Sequence, residues 1–353
     1  MADIDAPGQH DSLPGVYAPV LTRKLAGHDK LALLLAASYR TGRLHHALMF
    51  VGPAGIGKAS MAFQFAQHLI GNPEAGQAPE RLALLDAGSD AFRQMVNGTH
   101  LQVMHLTRPF DPKAEKFKTV LSVEEIRRIN HFLSMTNIGR GFRVIIIDPV
   151  NDMNASAANA LLKNLEEPPA RTLFILIAHS AGRILPTIRS RCQSLHFDSL
   201  TDSDLKEAVK QASADFKASD SELDRVARLS GGSVRQALML IGFGGLEVTE
   251  SADRIIEGAV FNSDKAQKLG DAMTTREADI QYQLLTDHLL QKVARAATRH
   301  AAQDDLRRAS ALAQFHGETR QALIEAQAFN LDRKQTIFGL LAQMHRQSSA
   351  GLL

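Results

Sequence analysis

Short, continuous apolar runs alternate along the first half of the chain with stretches in which apolar residues recur every three or four positions. Ala47-Leu48-Met49-Phe50-Val51 is one such run. It ends at Gly52 and reads as a buried strand. Val144-Ile145-Ile146-Ile147, closed by Asp148, is continuous and β-branched; Leu173 to Ala178 is a third run, and Leu101 to Leu106 a weaker one. Leu31, Leu34, Leu35 and Ser38 predict a helix over 27–40, and Met61, Phe65, Ala66 and Leu69 one over 59–70. Ser122 is placed to cap a helix from Val123 to about Thr136, with Glu125 completing a capping box and Ile126, Ile129 and Leu133 facing inward. A helix over 155–166 must stop at Pro168-Pro169. Residues 71–98 predict irregular chain with short helices, and Arg108 to Lys118 an exposed loop.

After about residue 200 the strand signals vanish. Residues 205–240 and 252–344 read as helices, as where Ile337, Leu340, Leu341 and Met344 fall at i, i+3, i+4 and i+7. No internal repeat of fixed period is present. Strands alternating with helices, then helices alone, predict an α/β core with a parallel sheet and a helical remainder.

At 353 residues the chain suits two or three domains of roughly 150 residues each. A hydrophobic share of 44% against 22% charged is that of a globular protein rather than a disordered one. A net charge of +2 permits a nucleic-acid partner without demanding one. Cys192 is the single cysteine, so neither an intramolecular disulfide nor a four-cysteine zinc site can form. That suits a reducing, cytoplasmic location. The first twenty residues carry Asp3, Asp5, Asp11, Pro7, Pro14 and Pro19; they lack the basic start and apolar run of a secretory signal, and a flexible tail is expected. No stretch approaches 18 consecutive apolar residues, so no membrane span is expected.

The chemistry starts at residues 52–60, GPAGIGKAS. A phosphate-binding loop reads G-x-x-x-x-G-K-[ST]: glycine-rich backbone aims N–H groups at phosphates, the lysine reaches the terminal phosphates and the hydroxyl holds Mg²⁺. Gly52, Gly55, Gly57 and Lys58 supply the cradle, between a strand and a helix, but Ala59 stands where the hydroxyl belongs. Ser60 is no substitute, because one step along a helix turns a side chain by about 100°. The second acid-ended strand closes at Asp148, the position for Mg²⁺, while Pro149 offers no neighbouring acid to orient water. Asp152 reads as a turn or cap residue. Cradle without metal ligand points to nucleotide binding with weak or absent hydrolysis.

Residues 159–169, NALLKNLEEPP, followed by Pro186-Thr187-Ile188-Arg189-Ser190-Arg191-Cys192, resemble the clamp-loader branch of the AAA+ family. Gly42-Arg43-Leu44-His45-His46-Ala47 is similar to that branch's approach to its first strand, and Gly231-Gly232-Ser233-Val234-Arg235-Gln236-Ala237-Leu238 to its second-sensor helix. The likeness covers about residues 25–240. It implies an AAA+ P-loop NTPase core over 21–200 after the tail at 1–20, a small helical lid over 201–247, and an all-helical collar oligomerisation domain over 248–353. Within the branch, Ala59 and Pro149 fit a subunit with degenerate nucleotide chemistry rather than an ATP-hydrolysing motor such as gamma or tau, the alternative reading. Ala178-His179-Ser180 also departs from the expected Thr or Asn of the first sensor. Many relatives carry a zinc module after the phosphate-loop helix; with Cys192 alone, no zinc is expected here.

The resemblance makes Arg191 an arginine finger reaching into a neighbouring subunit's ATP, and sets Arg235 toward this chain's own ATP or ADP, with Mg²⁺ only if nucleotide is bound. It implies gamma or tau and delta subunits as partners, with the β sliding clamp and primed-template DNA reached through the complex, and no membrane. Lys163, on a helix, and Lys113, Lys116 and Lys118, in a loop, read as solvated charges. Phe329-Asn330-Leu331 reads as helix packing.

Overall fold

A computed structural model describes residues 6, 8–135, 141–213, 218–275 and 278–353. Contacts divide the chain into two compact units, residues 1–217 with 231–235 and residues 218–230 with 236–353.

The first unit is built on a sheet. Its strands are β1 (Ala47–Val51), β2 (Val103–Leu106), β5 (Arg143–Ile147), β6 (Thr172–Ala178) and β7 (Gln193–His196), while β3 (Phe110–Asp111) and β4 (Lys116–Phe117) make a separate antiparallel hairpin. The sheet order is β2-β5-β6-β1-β7, parallel throughout. Every residue of β1, β5 and β6 is buried, as a parallel sheet covered on both faces requires. Successive side chains go to opposite faces. Leu48, Phe50, Val144, Ile146, Ile175 and Ile177 pack with α1 (Asp29–Arg40), α2 (Lys58–Gly71) and α3 (Asp90–Val96) through Leu35, Tyr39, Met61, Phe65, Leu69 and Phe92. Met49, Ile145, Ile147, Phe174 and Leu176 pack on the other side with α4 (Val123–Ser134) and α5 (Ala155–Glu166) through Ile126, Ile129, Leu161 and Leu165. The helix over 155–166 lies where the spacing puts it, capped by Asn154, whose side chain accepts from the Ala157 N–H at 2.8 Å.

Four local expectations change. Ser122 precedes α4 but accepts no capping bond; its hydroxyl is engaged by the Glu124 carboxylate, and Glu125 pairs with Arg128 at 2.5 Å, so the box does not form. The expected end at Thr136 lies outside the described residues. The loop over 108–118 contains the β3–β4 hairpin, closed by an edge contact between Phe110 and Phe117 at 5.2 Å. β7 was not expected, because only Leu195 of its four residues is buried. Residues 8–20, expected as part of a flexible tail, lie on the core: Leu13 and Val20 are buried, the Tyr17 N–H donates to the Ala212 carbonyl at 2.9 Å and the Ser213 hydroxyl to the Gly15 carbonyl at 2.6 Å. The short helix α6 (Pro186–Arg189) precedes β7, and α7 (Asp202–Ala212), capped by Thr201, ends this unit.

The second unit is helical in its described residues: α8 (Asp220–Ser230), most of α9 (Val234–Gly242), α10 (Gly245–Ile256), α11 (Ser263–Ala272), α12 (Asp279–Ala302), α13 (Leu306–Ala328) and α14 (Arg333–Ser349). Ala252, Ile255, Leu285, Leu289, Val293, Leu312, Ile337, Leu341 and Met344 form its core. Phe329 and Leu331 do not pack: they are 74% and 53% exposed, because α13 ends before them and Asn330 turns the chain at φ 50°. No helix among the described residues is long and apolar enough to cross a membrane.

Ile146 is fully buried in β5, with neighbouring strands on both sides. Ile146→Ala is expected to cost about 2–5 kcal/mol of stability, read as a lowered urea midpoint with an unchanged slope.

Candidate functional site: the phosphate loop and its surroundings

Register places the ends of four strands side by side. Val51 pairs with Ala178, Ile147 with Leu176 and Leu106 with Ile147. The residues that follow, Gly52, Thr107, Asp148 and His179, therefore share the carboxyl edge of the sheet, the usual ligand crevice of an open α/β fold.

The loop after β1 is fixed by close backbone approaches. A Cβ at Gly52 would stand 2.3 Å from the Phe197 carbonyl oxygen, so only glycine fits. Gly55 at φ 74° and Gly57 at φ 99° adopt left-handed backbone, and Gly57 caps α2. Residues 231–235 lie directly on this loop: the Ser233 hydroxyl donates to the Ala54 carbonyl at 2.9 Å, and the Arg235 N–H to the Gly55 carbonyl at 3.3 Å. His28 bonds the Ile56 carbonyl through Nε2 at 2.8 Å. The result is a helix N-terminus behind a glycine loop, which suits phosphate groups.

Lys58 opens α2 and is 3% exposed. Its ammonium donates to the Gly52 carbonyl at 2.7 Å and to the Pro53 carbonyl. Burial lowers its pKa to about 8, against the opposing pull of Asp148. Burial, reinforced by Asp11, raises the Asp148 carboxyl to about 7, with Lys58 again opposing. Ala59 contributes no oxygen, and the Ser60 hydroxyl turns away to Thr22 Oγ1 at 3.1 Å. The cradle fits phosphates; the hydroxyl that would complete a Mg²⁺ site is missing.

Asp152 is held by Arg108 at 2.5 Å, in the turn before α5. Asn151 clasps the first-sensor region, its Oδ1 accepting from the His179 N–H at 2.7 Å and its Nδ2 donating to the Ser180 carbonyl at 2.8 Å. Desolvation, then the Lys58 charge, hold the His179 imidazole well below its usual pKa. Arg235 Nη1 donates to the Asp11 carbonyl. Asp11 thus borders the site, with His10 on Thr107 and Gln9 on His105 beside it, although no sequence motif marks them.

Arg191 is placed elsewhere. Its guanidinium pairs with Glu166 at 2.7 Å and donates to the Thr187 carbonyl at 2.9 Å, neither of them part of the phosphate loop. Lys163, Lys113, Lys116 and Lys118 are exposed. The neighbouring Cys192 thiol is pushed up to about 12 by burial, far from thiolate chemistry.

A parallel sheet in the order β2-β5-β6-β1-β7, with a glycine loop after β1 and Asp148 following β5, is an α/β fold of the AAA+ type. Residues 27–201 match the family model described as "DNA polymerase III, delta subunit", and over these residues the chain is similar to clamp-loader subunits of DNA polymerase III. It is 33% identical to DNA polymerase III subunit delta' of Pseudomonas aeruginosa over 60% of each chain, and 33% identical to that of Escherichia coli over 58% of this chain and 57% of that one. These alignments span less than two thirds of either relative. DNA polymerase III subunit tau/gamma of Haemophilus influenzae is 26% identical over 80% of this chain and 39% of its own. Among solved structures, a gamma subunit-related protein from Thermotoga maritima aligns with a TM-score of 0.42 at 15% identity, over 89% of this chain and 99% of that one.

The ordinary Asp value is 3.8 and the folded Asp148 value about 7. Between them the unfolded chain releases this proton while the folded chain keeps it, so stability falls as pH rises through that window and stays reduced above it. Each pH unit between the two values is worth about 1.4 kcal/mol at most, so Asp148→Asn is expected to be more stable than the parent at pH 8 by about 1–3 kcal/mol. The advantage should disappear near pH 4. Urea unfolding at pH 4, 6 and 8 checks this; a pH-independent difference would refute the assignment.

Proposed function

We propose that this chain is the delta prime, stator-type subunit of a bacterial DNA polymerase III clamp loader. In this reading it joins gamma or tau and delta subunits in an assembly that opens the β sliding clamp and places it on primed DNA. The observation that carries the reading is a fully built phosphate loop from which the metal-binding hydroxyl is missing at Ala59, in a chain 33% identical to two delta' subunits. Pro149, where a motor would carry an acid, supports the same conclusion. The helical unit containing α10–α14 would be the collar that holds the subunit in the arc.

Any nucleotide of its own, ATP or ADP, would lie against Gly52, Gly55, Gly57 and Lys58, with Asp148 and Arg235 beside it. The N–H groups at the start of α2 would hold the phosphates. Mg²⁺ would come only with the nucleotide and would lack one protein ligand. Hydrolysis is assigned to the neighbour. Arg191 lies outside this chain's own loop and would be presented to an adjacent subunit's ATP, where a guanidinium at the γ-phosphate stabilises the charge that develops there, an effect worth about 10³ to 10⁵ in rate in related systems. Glu166 holds the same guanidinium in the isolated chain, so engagement is a change of partner from carboxylate to phosphate.

Reconstitution with the gamma and delta subunits of the same cell tests the reading. Arg191→Ala is expected to leave the assembly intact by size-exclusion chromatography and to slow clamp loading by at least about tenfold, with a matching fall in clamp- and DNA-stimulated ATPase. Normal loading by Arg191→Ala would remove the finger assignment. Motor-like ATP hydrolysis by the purified chain alone, lost in Lys58→Ala, would replace the stator with a motor.

A further inference from the structure

The segment ahead of the first helix makes contacts that a linker does not require. His10 Nδ1 lies 3.0 Å from Thr107 Oγ1, and Gln9 Nε2 lies 3.5 Å from His105 Nδ1. Both partners belong to β2 or the residue following it, at the sheet edge where Gly52 and Asp148 also emerge. The His10 ring meets the Phe117 ring edge-on at 6.5 Å. The Asp11 carbonyl accepts from Arg235, the side chain that the nucleotide reading directs toward phosphate. The Asp11 carboxylate is close enough to act electrostatically on Asp148, His105 and His179. Leu13 is buried, and Gly15 and Tyr17 are tied to Ser213 and Ala212. The segment is therefore anchored by a buried side chain from Leu13 onward, while Gln9 to Asp11 are held by polar contacts and the edge contact of His10 with Phe117.

We propose that Gln9–Asp11 form an internal plug at the phosphate end of the nucleotide site, and that nucleotide enters only when this segment withdraws. The proposal rests on reading residues 52–58 as a nucleotide cradle, and not on the stator role. Two physical effects make the plug and a polyphosphate mutually exclusive. Arg235 gives an Nη1 hydrogen bond to the Asp11 carbonyl, so a phosphate competes with that carbonyl for this face of the guanidinium. The Asp11 carboxylate adds negative charge beside Asp148, where a phosphate chain would bring more. The anchor at Leu13 to Tyr17 keeps the plug tethered, so its return is intramolecular. Apparent affinity is then the intrinsic affinity reduced by the fraction of chains with the plug out.

Titration of the purified full chain with fluorescent ADP and ATP analogues tests this, beside a variant lacking residues 2–12 and the double variant Gln9→Ala/His10→Ala. With the plug closed in about 90–99% of molecules, both variants are expected to bind about 10- to 100-fold more tightly than the parent. Lys58→Ala in either background should abolish that gain, showing that it arises at the phosphate loop. In the full chain, ADP should speed hydrogen exchange at residues 9–12. Thermal melts establish that each variant is folded; if the deletion is not, the double point variant decides. Equal affinity in parent and folded variants, or no binding by either folded variant, overturns the proposal. Neither result touches the stator reading, which is decided in the reconstituted complex.

Discussion

Burial of β1, β5 and β6 on both faces is the constraint from which the rest follows. A sheet that must be covered twice needs crossover helices, and crossovers keep its strands parallel. Parallel strands end together. Gly52, Thr107, Asp148 and His179 thus converge from positions far apart in the chain, without any direct pairing among them. The close fit of Gly52 against the Phe197 carbonyl then fixes where α2 begins, and with it Lys58.

That placement has an electrostatic cost. Lys58 and Asp148 both occupy surroundings that disfavour charge, and their mutual attraction opposes the shifts without reversing them. Carbonyls of Gly52 and Pro53 solvate the ammonium in place of water. Asp11 raises Asp148 further. Such surroundings leave an ammonium held by backbone carbonyls and an acid poorly suited to permanent ionisation. Both agree with a cradle whose hydrolytic parts, the residue-59 hydroxyl and the acid after Asp148, are absent from the sequence.

Much of this was legible in advance, for reasons that differ by element. The three central strands are continuous apolar runs, and α5 is bounded by Asn154 and a proline pair, so local chemistry and tertiary need agree. β7 escaped because an edge strand with one buried residue carries no apolar run. The capping box failed because the Ser122 hydroxyl is engaged by the Glu124 carboxylate and Glu125 turns to Arg128 instead of the backbone. Phe329 and Leu331 look like core residues by type, yet follow the end of their helix. Residues 8–20 misled most: their composition is that of a tail, and the bond between His10 and Thr107 joins positions 97 apart, which no local pattern encodes. The phosphate-loop residues were visible because their chemistry demands fixed spacing; His179, Asn151 and Gln9–Asp11 were not, because theirs does not.

The ion pair between Arg191 and Glu166 sets the terms on which this surface can meet anything anionic. A bare guanidinium at an exposed edge attracts any phosphate, including the backbone of nucleic acid. Here the charge is already compensated, and both members are partly solvated, so the pair is weak enough to exchange. A lone phosphate gains little by replacing Glu166. An oxygen cluster carrying several charges, held at fixed geometry by another surface, gains more. In the proposed role of Arg191, the pair would act as a threshold, favouring an organised polyanion over a lone phosphate.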